Sequence, residues 1–370
     1  MTLLPINDAS LRSADAQPRA VTEILSIATA NPHYRVLQKE VLENAAALFP
    51  QFDRLHALYA STGIESRYLC EPMDWYRRSH TWEERTTVYQ RHALDLLQLV
   101  ALRACEQADI SLSEVDTIVS NTITGLAIPS LDALLMGRLD FSPNVERLPI
   151  FGLGCGGGVA GLARAARLAE ARQGSNVLFL TVDLCSLCVR PNDGSAAMFV
   201  STALFGDGAA AVVLRSSAPR SKAAATQNGL PAVLAYGEHL WRDTRHMMGW
   251  EVKGDGFGIV LSPKLPSFLR THLAQVTEGF LRRHGMPREE IKGFLLHPGG
   301  RKVLETAEEV LDIERVQLAH SWNVLRDFGN MSSATAIFIL QNAIQSGAKG
   351  RHLLAAFGPG FSAYFVALDL

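Results

Sequence analysis

Apolar positions along the chain fall into short runs rich in Val, Ile and Phe, separated by longer stretches with helical spacing. Residues 115–120 form one such run and predict a strand. Residues 91–108 precede it and predict an amphipathic helix, with Leu94, Leu97 and Ala101 on one face. An Ala- and Leu-rich helical stretch over 159–172 stops at Gly174, and residues 176–182 follow as a second strand. Residues 209–214 give a third. A polar, Ser/Ala/Pro-rich segment over 215–231 reads as a linker.

Beyond that linker the pattern repeats. Residues 291–296 resemble 115–120, the helix predicted over 331–345 resembles 156–172, 352–357 resembles 177–181, and 364–370 resembles 209–214. The register agrees, since Cys155 stands 22 positions before Val177 and Asn330 stands 22 before His352. The repeat places Cys155 and Asn330 at equivalent strand-to-helix corners of two similar halves. Alternating strands and helices predict a layered α/β architecture, and two halves packed face to face would open both corners into one cleft.

Length and composition narrow the class. The chain has 370 residues, 48% of them hydrophobic and 19% charged, enough for about two domains and a large core. The net charge of −2, without a basic tract, excludes a nucleic-acid footprint. Five irregularly spaced cysteines fit a reducing compartment, hence the cytoplasm, better than a disulfide framework. No run of about 18 apolar residues predicts a membrane span. Residues 1–23 read as an N-terminal arm, 24–219 as one half and 229–370 as the other.

Three segments carry candidate chemistry. Cys155 lies in Gly154-Cys155-Gly156 at the start of a helix, where unpaired N–H groups and the helix dipole favour a thiolate. A small buried Cys packed by glycines is the alternative. His297 ends an apolar strand in Leu296-His297-Pro298-Gly299-Gly300 and is otherwise a core histidine. Asn330 opens a helix in Gly329-Asn330-Met331-Ser332-Ser333 and is otherwise an N-cap. Together they suit acyl transfer, in which a Cys needs a partner His and an oxyanion needs N–H donors.

These three motifs, with residues 204–210 (Leu-Phe-Gly-Asp-Gly-Ala-Ala), 124–129 (Thr-Gly-Leu-Ala-Ile-Pro) and Phe357-Gly-Pro-Gly360, resemble the type III polyketide synthases, the chalcone synthase-like family, from about Ile24 to the C-terminus. The resemblance implies the thiolase fold, a five-layer αβαβα arrangement of two related halves, as a homodimer. It implies that Cys155 takes an acyl group from an acyl-CoA starter and that His297 pairs with the thiolate. His297 and Asn330 would then bind the malonyl-CoA thioester carbonyl while CO2 leaves. The enolate lengthens the chain by two carbons, and the product cyclises. No metal and no cofactor beyond the CoA thioesters are implied.

The same resemblance makes Phe205 a gate between CoA tunnel and cavity, otherwise a core aromatic. It places Thr124 and the Gly358-Pro359-Gly360 loop at the pocket. It gives Ile128-Pro129 a role across the dimer, with a cis bond in relatives, and puts Cys185 and Cys188 on the pocket wall. That Cys-x-x-Cys pair has no second pair to complete a zinc site. Two departures reshape the cavity: Ile259 stands where the family has a second gating aromatic, and Trp250 where plant members have a small residue. Arg54 keeps a basic position near the CoA entrance and is otherwise a solvated surface charge. Gln51 and Leu58 replace lysines of the plant enzymes. The implied activity is a bacterial-type synthase making an alkylpyrone or alkylresorcinol. The rivals are an initiating ketoacyl-ACP synthase of the same fold and a non-catalytic acyl-binding relative.

Overall fold

The computed structural model of the chain describes residues 21–217 and 229–370. The expected arm up to residue 20 and the middle of the expected linker lie outside the described residues. The arm's last positions, from Val21 on, already belong to a strand.

The strands are β1 (Val21–Ala30), β2 (Tyr34–Leu37), β3 (Ser66–Leu69), β4 (Val115–Thr122), β5 (Glu146–Phe151), β6 (Asn176–Leu184), β7 (Asp207–Ser217), β8 (Ala232–Leu240), β9 (Met248–Lys253), β10 (Gly256–Leu261), β11 (Ile291–Leu296), β12 (Arg351–Gly358) and β13 (Ser362–Asp369). The α-helices are α1 (Gln38–Leu48), α2 (Ala57–Ser61), α3 (Trp82–Gln107), α4 (Leu131–Met136), α5 (Gly157–Ala171), α6 (Ala196–Leu204), α7 (Leu265–Arg283), α8 (Arg301–Leu311), α9 (Ala319–Phe328) and α10 (Ser333–Gln345).

Nine strands are hydrogen-bonded in the order β11-β12-β13-β8-β1-β7-β6-β4-β5. This is two sheets joined at one seam. Between β1 and β8 only Thr22↔Val233 and Glu23↔Ala232 pair. In the first half β4 and β6 run parallel, then β6, β7 and β1 antiparallel. In the second half β11 and β12 run parallel, then β12, β13 and β8 antiparallel. The strand correspondences are those of the sequence repeat, with β5 added at the outer edge of the first sheet.

Side-chain alternation along the central strands builds the layers. Leu178 and Leu180 of β6 pack outward on α3, together with Leu97 and Val100. Val177 and Phe179 of the same strand point inward to α5 and α10, meeting Val159, Leu162, Ile337 and Leu340. On the other side of those two helices lie Leu354, Ala356 and Val366 of the second sheet. That sheet's far face, with Leu353 and Phe365, is covered by Leu269 and Leu273 of α7 and Leu304 of α8. The succession helix, sheet, helix pair, sheet, helix is the expected five-layer αβαβα arrangement.

Two expectations shift. Helix α3 starts at Trp82, nine residues before the predicted start at 91. Its first turns are too polar to show an apolar stripe, but a capping box fixes the boundary. Glu84 N–H donates to Thr81 Oγ1 at 3.2 Å, and Thr81 N–H donates to Glu84 Oε2 at 2.9 Å. The corner at Asn330 also differs from that at Cys155. It follows helix α9 rather than a strand, and its only β pairing is an isolated bridge between Asn330 and Phe205. Gly329 (φ 66°) and Ser332 (φ 51°) turn the chain too sharply for more than one paired residue.

Candidate active site

The two central helices bring the motifs together by starting at the same place. Helix α5 opens against the start of α10 so closely that a Cβ on Gly158 would lie 2.1 Å from the Ser333 carbonyl oxygen. Cys155 sits in a short 3-10 turn, Gly154–Gly156, ahead of α5. Gly154 holds φ 51°, and a Cβ there would lie 2.4 Å from Pro359 Cδ. The Gly358-Pro359-Gly360 loop between β12 and β13 thus backs the nucleophile turn.

Asn330 is anchored on both sides. Its N–H donates to Leu204 O and its carbonyl accepts from Gly206 N–H, each at 2.9 Å, so it is locked to the Phe205 segment. Its side-chain Oδ1 accepts from Ser332 N–H at 2.8 Å, and its Nδ2 donates to Gly299 O at 3.3 Å. Gly299 belongs to the His297 loop. The side chains of Ser332 and Asn330 both lie near enough to Cys155 to favour its thiolate. Cys155, Asn330 and the His297 loop therefore meet at one buried corner.

Burial sets the electrostatics of that corner. It pushes the Cys155 thiol up to about 12, against the downward pull of Ser332 and Asn330, and the nearby Asp183 charge adds to the rise. The thiolate expected from the helix start alone is therefore outweighed by desolvation. Burial likewise depresses His297 to about 3, so the imidazole is neutral at pH 7. Its backbone is fixed, with N–H donating to Ala355 O at 2.8 Å, yet neither ring nitrogen has a hydrogen-bond partner. Such orphaned groups in a buried position are costly unless they serve a ligand.

A narrow cavity of about 40 Å3 lies next to this corner, with Phe205, Cys185, Cys188, Tyr76, Ser186 and Trp250 in its wall. Phe205 lines the cavity and pairs with Asn330, so it stands at the border between the two. Cys185 and Cys188 are buried in that wall, and no group of three metal-binding side chains occurs among the described residues.

The remaining expected residues divide. Thr124 does not line the cavity. Its hydroxyl accepts from Leu184 N–H at 2.8 Å and donates to Asp183 Oδ1 at 3.4 Å, and its carbonyl accepts from Cys188 Sγ at 3.9 Å. Ile259 does not line the cavity and packs against the apolar cluster that includes Phe199, Met198 and Phe49. Its cross-strand neighbour Trp250 supplies the aromatic opposite Phe205, at 6.2 Å between centroids. Ile128 is 97% exposed, and the Ile128–Pro129 bond is cis. Arg54 is exposed in the turn Pro50–Leu55.

Sequence reasoning missed three groups. Buried Asp183 accepts from Ser333 N–H (2.9 Å), Ser333 Oγ (2.5 Å) and Ile123 N–H (2.8 Å), and so ties the first half to the start of α10. Ser332 is buried in a left-handed conformation that only the surrounding bonds sustain. Arg67 caps α6, donating to Thr202 O at 3.0 Å, Ala203 O at 2.9 Å and Phe205 O at 2.9 Å. A carboxylate or arginine inside an otherwise apolar stretch was the only available signal.

Two family models together cover most of the chain. Residues 12–218 match the N-terminal domain of chalcone and stilbene synthases, and residues 234–367 match the C-terminal domain. The chain belongs to the chalcone and stilbene synthases, the type III polyketide synthases. Among relatives of this family, the 1,3,6,8-tetrahydroxynaphthalene synthase of Streptomyces peucetius subsp. caesius is 36% identical over 94% of this chain and 93% of its own. The phloroglucinol synthase of Pseudomonas fluorescens is 29% identical over 90% and 94%. The crystal structure of 1,3,6,8-tetrahydroxynaphthalene synthase from Streptomyces coelicolor superposes with a TM-score of 0.86 at 27% identity, covering 94% of this chain and 99% of that one. PKS-I from the brown alga Ectocarpus siliculosus gives 0.86 at 26% identity, covering 96% and 99%. As a type III polyketide synthase the protein is an acyl-transferring enzyme of decarboxylative condensation, with acyl-CoA and malonyl-CoA as the family's substrates and no further cofactor. No helix among the described residues is long and apolar enough to cross a membrane.

Proposed function

We propose that this type III polyketide synthase loads a fatty acyl-CoA on Cys155, extends it with malonyl-CoA and releases a pyrone or a resorcinol-type ring. Cys155 Sγ attacks the starter thioester carbonyl, the thiol proton passes to His297, whose unpartnered ring nitrogens can accept it, and as the C–S bond to CoA breaks His297 gives that proton to the departing CoA sulfur and is neutral again. The thioester oxygen of malonyl-CoA then receives N–H bonds from His297 and Asn330. CO2 leaves, its electron pair becomes the enolate, and the enolate carbon attacks the Cys155 thioester, which returns the sulfur. A neutral imidazole still carries one N–H, which it can donate to the oxyanion.

The observation that carries this reading is the convergence at one buried corner: the Cys155 thiol beside the Asn330 amide, which grips the loop of an orphaned histidine. The apolar far wall of the cavity, with Val41, Leu48, Leu69 and Met73, supports an alkyl starter. Exposed Leu126, Ile128, Leu148 and Phe151 surround the unpaired edge of β5 and support a homodimer through that edge. Five free cysteines support a cytoplasmic setting. The test is incubation of the protein with labelled malonyl-CoA and a panel of acyl-CoA starters, with product masses read out. Alkylpyrones or alkylresorcinols that grow with starter length are expected. Turnover only with malonyl-ACP, or none with any starter, overturns the reading.

A further inference from the structure

The Cys-x-x-Cys turn singled out in the sequence presents a third side chain. Between Cys185 and Cys188, Ser186 lines the cavity together with Tyr76. Behind them lies Asp207, the first residue of β7, fully buried. Asp207 accepts from Cys70 N–H at 2.8 Å, Ser186 N–H at 2.8 Å and the Ser186 hydroxyl at 2.5 Å. Since the Ser186 proton points to the carboxylate, the 2.7 Å contact between Ser186 Oγ and Tyr76 Oη is made by the tyrosine proton. Glu71 N–H donates to Tyr76 Oη at 3.1 Å and fixes the phenol in place. The bonds thus run one way, from phenol through hydroxyl to carboxylate. The wall that carries them shares the cavity with Phe205, which pairs with Asn330 at the nucleophile's corner.

None of these groups is needed for loading or decarboxylation. Malonyl-CoA generates its own carbanion, and lactone closure uses an enol oxygen. Closing a carbocycle differs, because a ketone methylene must lose a proton inside the cavity. We propose that Tyr76, Ser186 and Asp207 form a proton relay that takes that methylene proton when the poly-β-keto chain closes a carbon–carbon bond. The proposal rests on the polyketide reading above. The C–H bond breaks, the proton goes to Tyr76 Oη, the tyrosine proton to Ser186 Oγ and the serine proton to Asp207. The electron pair left on carbon attacks a ketone carbon further along the chain. The resulting alkoxide recovers a proton by the reverse passage, so the relay ends as it began. Burial lifts Asp207 to about 6, so it exchanges a proton near neutral pH.

The test compares Ser186→Ala and Tyr76→Phe with the wild type. Ser186→Ala removes one buried oxygen and keeps the backbone N–H that holds Asp207, and thermal melting confirms that each variant folds. Two readouts are taken with the same starter and malonyl-CoA: CO2 release, and the ratio of carbocyclic to lactone product. The ratio is expected to fall by about tenfold or more in both variants, while CO2 release falls far less. An unmoved ratio in folded variants, a parallel loss of both readouts, or a wild type that makes only lactones overturns the relay. A wild type that releases no CO2 from malonyl-CoA overturns the functional reading itself, and the relay with it.

Discussion

At Cys155 two effects oppose one another, and their magnitudes decide the chemistry. A helix start favours negative charge by about 0.3–1 kcal/mol, whereas burial without a counter-charge shifts a titration by several units. The thiol lies at about 12 and His297 at about 3, so a resting thiolate–imidazolium pair is disfavoured and proton transfer must accompany attack. Alkylation of Cys155 by iodoacetamide is therefore expected to quicken about tenfold per pH unit from pH 7 to 9 without a plateau. Peptide mapping across that range checks it, and a plateau beginning below pH 7 contradicts it. At Trp250, volume decides. The cavity of about 40 Å3 is far below the roughly 300 Å3 of an ordinary ligand pocket. Trp250 closes it from the side opposite Phe205. Trp250→Ala is expected to lengthen the product by at least one malonyl unit, seen as a mass increase. Unchanged product masses would show that another side chain sets the limit.

At the scale of elements, the site depends on how closely α5 and α10 approach. The backbone at Gly158 leaves no room for a methyl group, with Ser333 O 2.1 Å from where it would sit. Gly158→Ala is expected to cost about 1–3 kcal/mol in chemical denaturation. Because Ser333 follows the Asn330 turn, its kcat should fall further than that of an equally destabilising change at Gly174, where a Cβ meets nothing within 4 Å. Equal losses would argue that the crossing serves stability alone. The same elements show what the sequence made legible. Strand β11 keeps its expected limits, and β6 and β12 each lie where the repeat places them, because apolar runs covered on both faces are unambiguous. The start of α3 was hidden because its first turns are polar and only the Thr81–Glu84 box marks them. Cys155 and Asn330 were legible from glycine and turn context. Ser332, Asp183 and the Tyr76–Ser186–Asp207 chain were not, because hydrogen bonds between residues about 20 to 150 positions apart leave no local pattern. The aromatic near Phe205 is Trp250 rather than a residue at 259 for a related reason. The two positions are paired across the β9–β10 hairpin and share a face, so side-chain length and the placing of the hairpin decide which one reaches the cavity, and a pattern match along the chain does not resolve that.

For the whole molecule, the two halves share one hydrogen-bonded sheet but meet at a seam of two residue pairs, so the central helices hold them together. The outer edge at β5 remains, and Ile128, in the segment after β4, is 97% exposed. The proposed dimer predicts that Ile128→Asp shifts the protein toward monomer in light scattering at micromolar concentration and lowers activity in proportion. A protein already monomeric, or a dimer unaffected by the charge, would move the interface elsewhere.

The central claim is that the acyl chain is carried on Cys155. Incubation with a fatty acyl-CoA in the absence of malonyl-CoA, followed by proteolysis and mass spectrometry, reads it directly. One acyl group on the peptide containing Cys155, absent from Cys155→Ser, is the result expected. Acylation of Cys185 or Cys188 instead, or product formation by Cys155→Ser, would contradict it.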